Sequence, residues 1–316
     1  MNEIIRKNFV FGMISKINIK LLITLICFAF LGNSIYGNFD SLSNQTITSE
    51  QILWILWGGI FSFFSIIINA YAWKLLINNI GCSINNLNII KLFLATNIYK
   101  YLPGGIWHFV SRYKNLRLEL SNEKSIESIL LEPILMLVAG FIFIPFRGFN
   151  LPIYMLCWSS TLLFLPKFRQ SLIKKLRTMK AKVFTNNDNI KDRDLAENIQ
   201  NISTSFFYPY KPLFVEIIFI FFRFIGFLCC VNAFSIGSLI SHGELISSFS
   251  LAWIIGLIVP AAPGGLGVFE SVILFTLSSH LPEAPLLASL LCYRLVSTVS
   301  DILAALIYPV KKIFKV

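Results

Sequence analysis

Two Pro-Gly-Gly triplets interrupt otherwise apolar stretches of this chain, and ionisable side chains follow each of them. The second break reads Pro263-Gly264-Gly265-Leu266-Gly267-Val268-Phe269-Glu270. It joins a helix stop, three glycines that let backbones approach closely, and an acid in the first turn of the next helix. Free backbone N–H groups at a helix N-terminus, with the helix dipole behind them, form an anion site. The same residues also make a tight loop between packed helices, with Glu270 capping the second one, and the sequence leaves both readings open. The first break reads Tyr101-Leu102-Pro103-Gly104-Gly105-Ile106-Trp107-His108. Beyond it His108 and Arg112 lie one turn apart, so both can face one cavity; for His108 a packing role is the plainer reading than a proton relay.

Three more ionisable residues sit inside apolar runs: Glu132 within Ile129–Leu135, Arg223 within Phe219–Leu228 and Arg294 within Leu290–Val296. Such residues in a membrane face the bundle interior and pair with one another or with a ligand. Two chemistries compete for them. One is an internal ion pair such as Glu270 with Arg294; the other is a lipid phosphate held by Arg223 or Arg294. Asp301 and Glu216 lie nearer segment ends and receive no functional assignment. Nucleophile-elbow, zinc-protease, phosphate-loop and dinucleotide motifs are all missing, so no catalytic residue and no cofactor is expected. The cysteines (Cys27, Cys82, Cys157, Cys229, Cys230 and Cys292) read as small apolar packing residues, and the three histidines are too scattered for a metal cluster.

The elements that must position these residues are membrane helices. The chain is 56% hydrophobic and only 14% charged, with a mean hydropathy of +0.72, whereas soluble domains carry about 25% charged residues. Its net charge of +11 flanks the apolar runs, which points to a membrane surface rather than to nucleic acid. Ile17–Tyr36 reads as an uncleaved first helix, preferred over a signal peptide. Further spans are expected over Ile52–Trp73, Ser125–Phe146, Leu151–Pro166, Pro212–Phe234 and Leu286–Tyr308. Asn88–Tyr101 and Trp107–Leu118 read as a re-entrant or interfacial hairpin around the first break. Leu245–Ala262 and Val268–His280 flank the second, entering the membrane and returning to the same side. Broken helices of this kind persist where they are buried in protein or line a cavity.

The expectation is an all-α polytopic bundle of about seven to eight membrane segments with two Pro-Gly-Gly-broken hairpins, forming one integral membrane domain. Residues 1–166 make a first half, 167–211 a basic cytoplasmic connector and 212–316 a second half, an arrangement that hints at a two-half pseudo-repeat. Loop charges place both termini on the cytoplasmic side of the cytoplasmic membrane. Pro263, Gly264, Gly265, Gly267, Glu270, Arg294, Arg223 and Glu132 form a candidate head-group site. Pro103, Gly104, Gly105, His108 and Arg112 form a candidate gate.

The second break, followed by Tyr293-Arg294-Leu295, resembles the signature of the lysylphosphatidylglycerol synthase transmembrane domain family, a flippase-like domain. Lys100-Tyr101-Leu102-Pro103-Gly104-Gly105-Ile106-Trp107-His108-Phe109-Val110-Ser111-Arg112 is similar to a branch of that family. Ser128-Ile129-Leu130-Leu131-Glu132 resembles its acid-bearing third helix. There the acid is commonly followed by Arg, whereas here Pro133 follows. In two-domain members this membrane half is similar to a translocator of aminoacylated phosphatidylglycerol, and a soluble domain attaches the amino acid. No such soluble domain is present in this sequence. The resemblance therefore implies a stand-alone flippase-like protein moving or binding an anionic or glycosylated lipid, with membrane lipids as its partners. The alternative is a non-transporting membrane partner of a cell-envelope glycosyltransferase, docking through Lys167–Lys211.

Overall fold

Runs of apolar residues interrupted by Ser, Thr or Asn before the next hydrophobic stretch give this chain long helices with defined starts. The computed structural model describes residues 32–33, 36–37, 48–82, 84, 88–102, 106–148, 151–165, 208–259, 265 and 267–307. Among the described residues every regular element is helical. In chain order these are α1 (Ser49–Asn79), α2 (Ile89–Asn97), α3 (Trp107–Leu116), α4 (Asn122–Phe141), α5 (Leu151–Ser159), α6 (Tyr210–Ala233), α7 (His242–Ile258), α8 (Val268–Leu277) and α9 (Glu283–Leu306). Thr48 opens α1 with a reciprocal cap: its hydroxyl accepts from the Gln51 backbone N–H at 3.3 Å, and the Gln51 side chain accepts from the Thr48 N–H at 2.8 Å. Asn88, Ser121 and Ser241 cap α2, α4 and α7 through one side-chain oxygen each. The first apolar segment, the connector and the C-terminal tail lie outside the described residues, apart from the few positions named above.

Among the described residues four helices are long and apolar enough to cross a bilayer: α1, α4 with its continuation to Arg147, α6 and α9. Three shorter apolar helices accompany them. The segment Leu151–Pro166, expected as a span, is in its described part α5 followed by a 3-10 turn Ser160–Phe164, and Leu151–Phe164 falls short of the roughly 20 residues a span needs. The flanks of the second break, α7 and α8, are likewise shorter than a span and touch each other.

Side-chain size decides how the long helices meet. Lipid tails are as apolar as leucine, so helices associate through close packing and polar contacts. On α1, Gly58, Ser62 and Ser65 form a small-residue stripe turned toward α6. A Cβ placed on Gly226 of α6 would lie 2.6 Å from the Ser62 hydroxyl and 3.2 Å from the Gly58 carbonyl. The opposite face of α1 presents Leu53, Leu56, Trp57 and Phe64, all exposed, to the surrounding lipid. α6 and α1 both pack on α9, and α4 packs on α6 and α7. At the junction of α6, α7, α8 and α9, Phe227, Phe249, Phe269 and Tyr293 stack edge and face with ring centroids 5.4 to 6.2 Å apart.

Of the two flanks of the first break, α2 is buried within the bundle. Leu92, Phe93, Leu94 and Ala95 of α2 are all at most 3% exposed, because α2 is wedged between α1 and α9. This insertion brings the basic stretch around Lys100 and Arg112 into the bundle.

Candidate functional site

A cavity of about 450 Å³ opens where α2, α3, α4, α6, α7 and α9 converge. Three charged clusters define its wall. The first is centred on Asp301 of α9, which is 1% exposed. Asn97 Nδ2 donates to its Oδ1 at 2.8 Å and the Tyr101 hydroxyl donates to its Oδ2 at 2.6 Å. Lys100 Nζ approaches Oδ2 to 2.7 Å, and Arg223 Nη2 approaches Oδ1 to 3.4 Å. One carboxylate thus ties the end of α2 to α6 and α9.

The second cluster joins α3 to α4. Arg112 Nη1 donates to both carboxylate oxygens of Glu132 at 2.6 Å, and its Nε donates to the Thr96 hydroxyl at 3.1 Å. Its guanidinium lies over the Phe93 ring, 3.8 Å from the centroid, and 5.0 Å from that of Trp73. Arg112 is 1% exposed. A charge buried this deeply is tolerated only because it is paired and hydrogen-bonded. Pro133 sits inside α4 directly after the acid, so the partner of Glu132 comes from α3 and not from its own helix.

The third cluster sits at the second break. Arg294 Nε donates to Glu270 Oε1; its Nη2 donates to Oε2 at 3.3 Å and to the Gly265 carbonyl at 2.9 Å. The Gly267 N–H donates to Glu270 Oε2 at 2.8 Å. Gly265 and Gly267 adopt φ of +70° and +82°, the left-handed region that side chains with a Cβ enter at a cost of roughly 1–2 kcal/mol. The glycines of the motif are therefore needed for backbone shape: they turn the chain so that α8 begins with Glu270 facing Arg294. The contacts at this break are those of the tight loop and the internal ion pair: Glu270 caps α8 through the Gly267 N–H and pairs with Arg294.

The residues singled out by type and spacing now have places. Gly265, Glu132, Arg112, His108, Arg223 and Arg294 line the cavity. Glu270 stands behind Arg294, buried and off the wall, and Gly267 holds Glu270. Pro103, Gly104, Gly105, Pro263 and Gly264 lie outside the described residues. The head-group set and the gate set, kept apart on sequence, share one wall. Asp301, given no role on sequence, is the most connected carboxylate there, and Asn97, Lys100 and Tyr101 join it. A signal for this was available. Arg294, Ser297 and Asp301 recur at helical spacing on one face of α9, and Asn97, Lys100 and Tyr101 recur in the same way before the first break.

Among the described residues several polar atoms on the wall have no hydrogen-bond partner: Asn69 Oδ1, His108 Nδ1, Arg223 Nε, Trp253 Nε1 and the Tyr293 hydroxyl. Buried polar groups are nearly always satisfied. Five of the twelve unpartnered buried side-chain atoms among the described residues belong to residues that line this one cavity. Among the described residues no group of His, Cys, Asp and Glu could hold a metal ion.

Long apolar helices, broken short helices between them and a charged cavity inside the bundle define a polytopic helical membrane protein built around a polar site. The family model described as the lysylphosphatidylglycerol synthase TM region matches residues 17–305, and the chain belongs to that family. Among curated proteins, none matches the chain.

Proposed function

We propose that the protein binds an anionic or glycosylated membrane lipid by its head group and translocates it across the cytoplasmic membrane, with both termini on the cytoplasmic side and without a chemical step. The observation that carries this reading is the charged cavity enclosed by apolar helices, with unpartnered polar atoms on its wall. An apolar bundle gains nothing from such a cavity as packing, because every unpaired polar group in it costs about 1–3 kcal/mol. A lipid head group would satisfy those atoms while its acyl chains stay in hydrocarbon. Membership of a family of membrane proteins connected with lipid metabolism supports the same reading. The residues after the first break, His108 and Arg112, act as the gate, because they stand on the wall beside the break.

The test is reconstitution of the full chain into liposomes carrying fluorescent anionic lipids. Quenching of the outer-leaflet label should reveal movement well above that of empty liposomes, and Arg294→Ala should bring the rate down toward background. Wild-type rates equal to those of empty liposomes across several lipid classes would refute translocation. The alternative, a partner of an envelope glycosyltransferase, depends on the loop 167–211. Only residues 208–211 of that loop are described, and none of their contacts favours it.

A further inference from the structure

The three clusters do not balance. Arg112 with Glu132 and Arg294 with Glu270 are closed pairs, one cation to one carboxylate. Asp301 alone is shared by two cations, Lys100 at 2.7 Å and Arg223 at 3.4 Å. Among the described residues the three clusters therefore carry one positive charge in surplus, and it resides at Asp301. Lys100 holds the shorter contact, so Arg223 is the looser of the two. Arg223 is 3% exposed, lines the cavity and leaves its Nε without a partner. Its guanidinium stands 5.7 Å from the centroid of the Trp253 ring and 6.0 Å from that of Phe219. Each of the three carboxylates already receives hydrogen bonds on both oxygens. The other buried acids, Glu127 and Glu216, are not on the wall.

We infer that the cavity takes a head group bearing a single negative charge, a phosphodiester monoanion docked on Arg223, and selects against head groups that carry an added ammonium. This rests on the lipid-binding reading above and deepens it. An arginine presents Nε and Nη2 side by side as a fork for two oxygens of one phosphate. Here Nη2 leans weakly on Asp301 and Nε is open, so a phosphodiester oxygen completes the fork without breaking an ion pair. Trp253 Nε1 and the other unpartnered atoms remain for hydroxyl groups beyond the phosphate. Among the described residues of the wall an incoming ammonium finds no carboxylate oxygen without a hydrogen bond; the buried carboxylate oxygen that lacks a partner, Glu216 Oε1, does not line the cavity. To be bound the ammonium must displace Lys100, Arg112 or Arg294 from its carboxylate, leaving that cation uncompensated. The aminoacylated lipid associated with two-domain relatives is thus the wrong charge for this wall.

Native mass spectrometry of the purified full chain, offered equimolar phosphatidylglycerol and lysyl-phosphatidylglycerol, tests this. Phosphatidylcholine serves as the zwitterionic reference and glycerophosphoglycerol as the water-soluble phosphodiester. Phosphatidylglycerol should bind about ten- to a hundredfold better than the lysyl lipid, the range expected for one charge-assisted hydrogen-bonded contact. Arg223→Gln should abolish that preference, and Arg223→Lys, which keeps the charge and loses the fork, should retain part of it. The wild-type preference needs no variant to fold and stands as a test by itself. Equal or tighter binding of the lysyl lipid, or a preference unchanged in Arg223→Gln, overturns the charge selection while leaving a lipid site in place. Binding of glycerophosphoglycerol as tight as that of the lipid keeps the phosphodiester chemistry and overturns the lipid reading. No preferential binding of any of the four overturns both.

Discussion

Arg112 and Glu132 lie 20 positions apart in sequence and meet in a buried contact in which one guanidinium nitrogen reaches both carboxylate oxygens. Each charge offsets the burial of the other, since an isolated buried charge has no water to solvate it. Arg112→Ala or Glu132→Gln alone should each lower unfolding free energy in mixed micelles by about 3–5 kcal/mol. The double replacement by leucines should recover most of that loss, because it removes the orphaned charge together with its partner; a double variant as unstable as the sum of the singles would contradict the pairing. The sequence identified both residues as ionisable groups near apolar runs, but it assigned them to different sets. The reason is physical. Pairing across helices depends on rotation and depth, and the pattern along either helix contains no information about the other's azimuth. Glu270 and Arg294 were easier to connect, because they lie on consecutive helices, α8 and α9, joined by a short loop.

At the scale of elements, the helices were readable from apolar runs and cap residues, and the described helices begin within a few residues of the expected spans and hairpin arms. What the apolar pattern did not reveal was close approach. Gly226 in α6 looks like any glycine in a hydrophobic run, yet Ser62 and the Gly58 carbonyl fill the space a side chain would need. Gly226→Val should therefore push α1 and α6 apart and destabilise the protein by about 1–3 kcal/mol, the usual cost of overpacking. Gly256→Ala is the comparison, since a Cβ there meets nothing within 4 Å, and it should change stability by no more than about 0.5 kcal/mol. Equal melting temperatures for the two variants would show that the α1–α6 contact is not tight. The first-break hairpin illustrates the same limit. Its basic residues suggested the membrane surface, but α2 is buried, and the arginine and lysine charges are carried inward by partners on other helices.

For the whole molecule, the convergence of separate charges on one cavity has a consequence for its response to acid. Burial, with Arg112 and Lys100 nearby, holds the His108 imidazole below its ordinary value of 6.5, so the folded state binds fewer protons there than the unfolded chain. Stability from this residue is present above the unfolded value and is lost as the pH falls below it. The melting temperature of the bundle should drop between pH 7 and pH 5, and His108→Gln should flatten that part of the profile; an unchanged slope in the variant would show that other groups cause it. The sequence by itself determined the solvent, the helices and the two breaks, because hydrophobicity, proline and glycine act locally on a chain in lipid. It also determined which residues were too expensive to lie in hydrocarbon unaccompanied. Only the tertiary structure decided their company: Asp301 gathers Lys100, Arg223, Asn97 and Tyr101 from other elements, so that among the described residues two cations share one carboxylate. Charge balance in a buried site is a property of neighbours in space, so it came into being only when the helices packed.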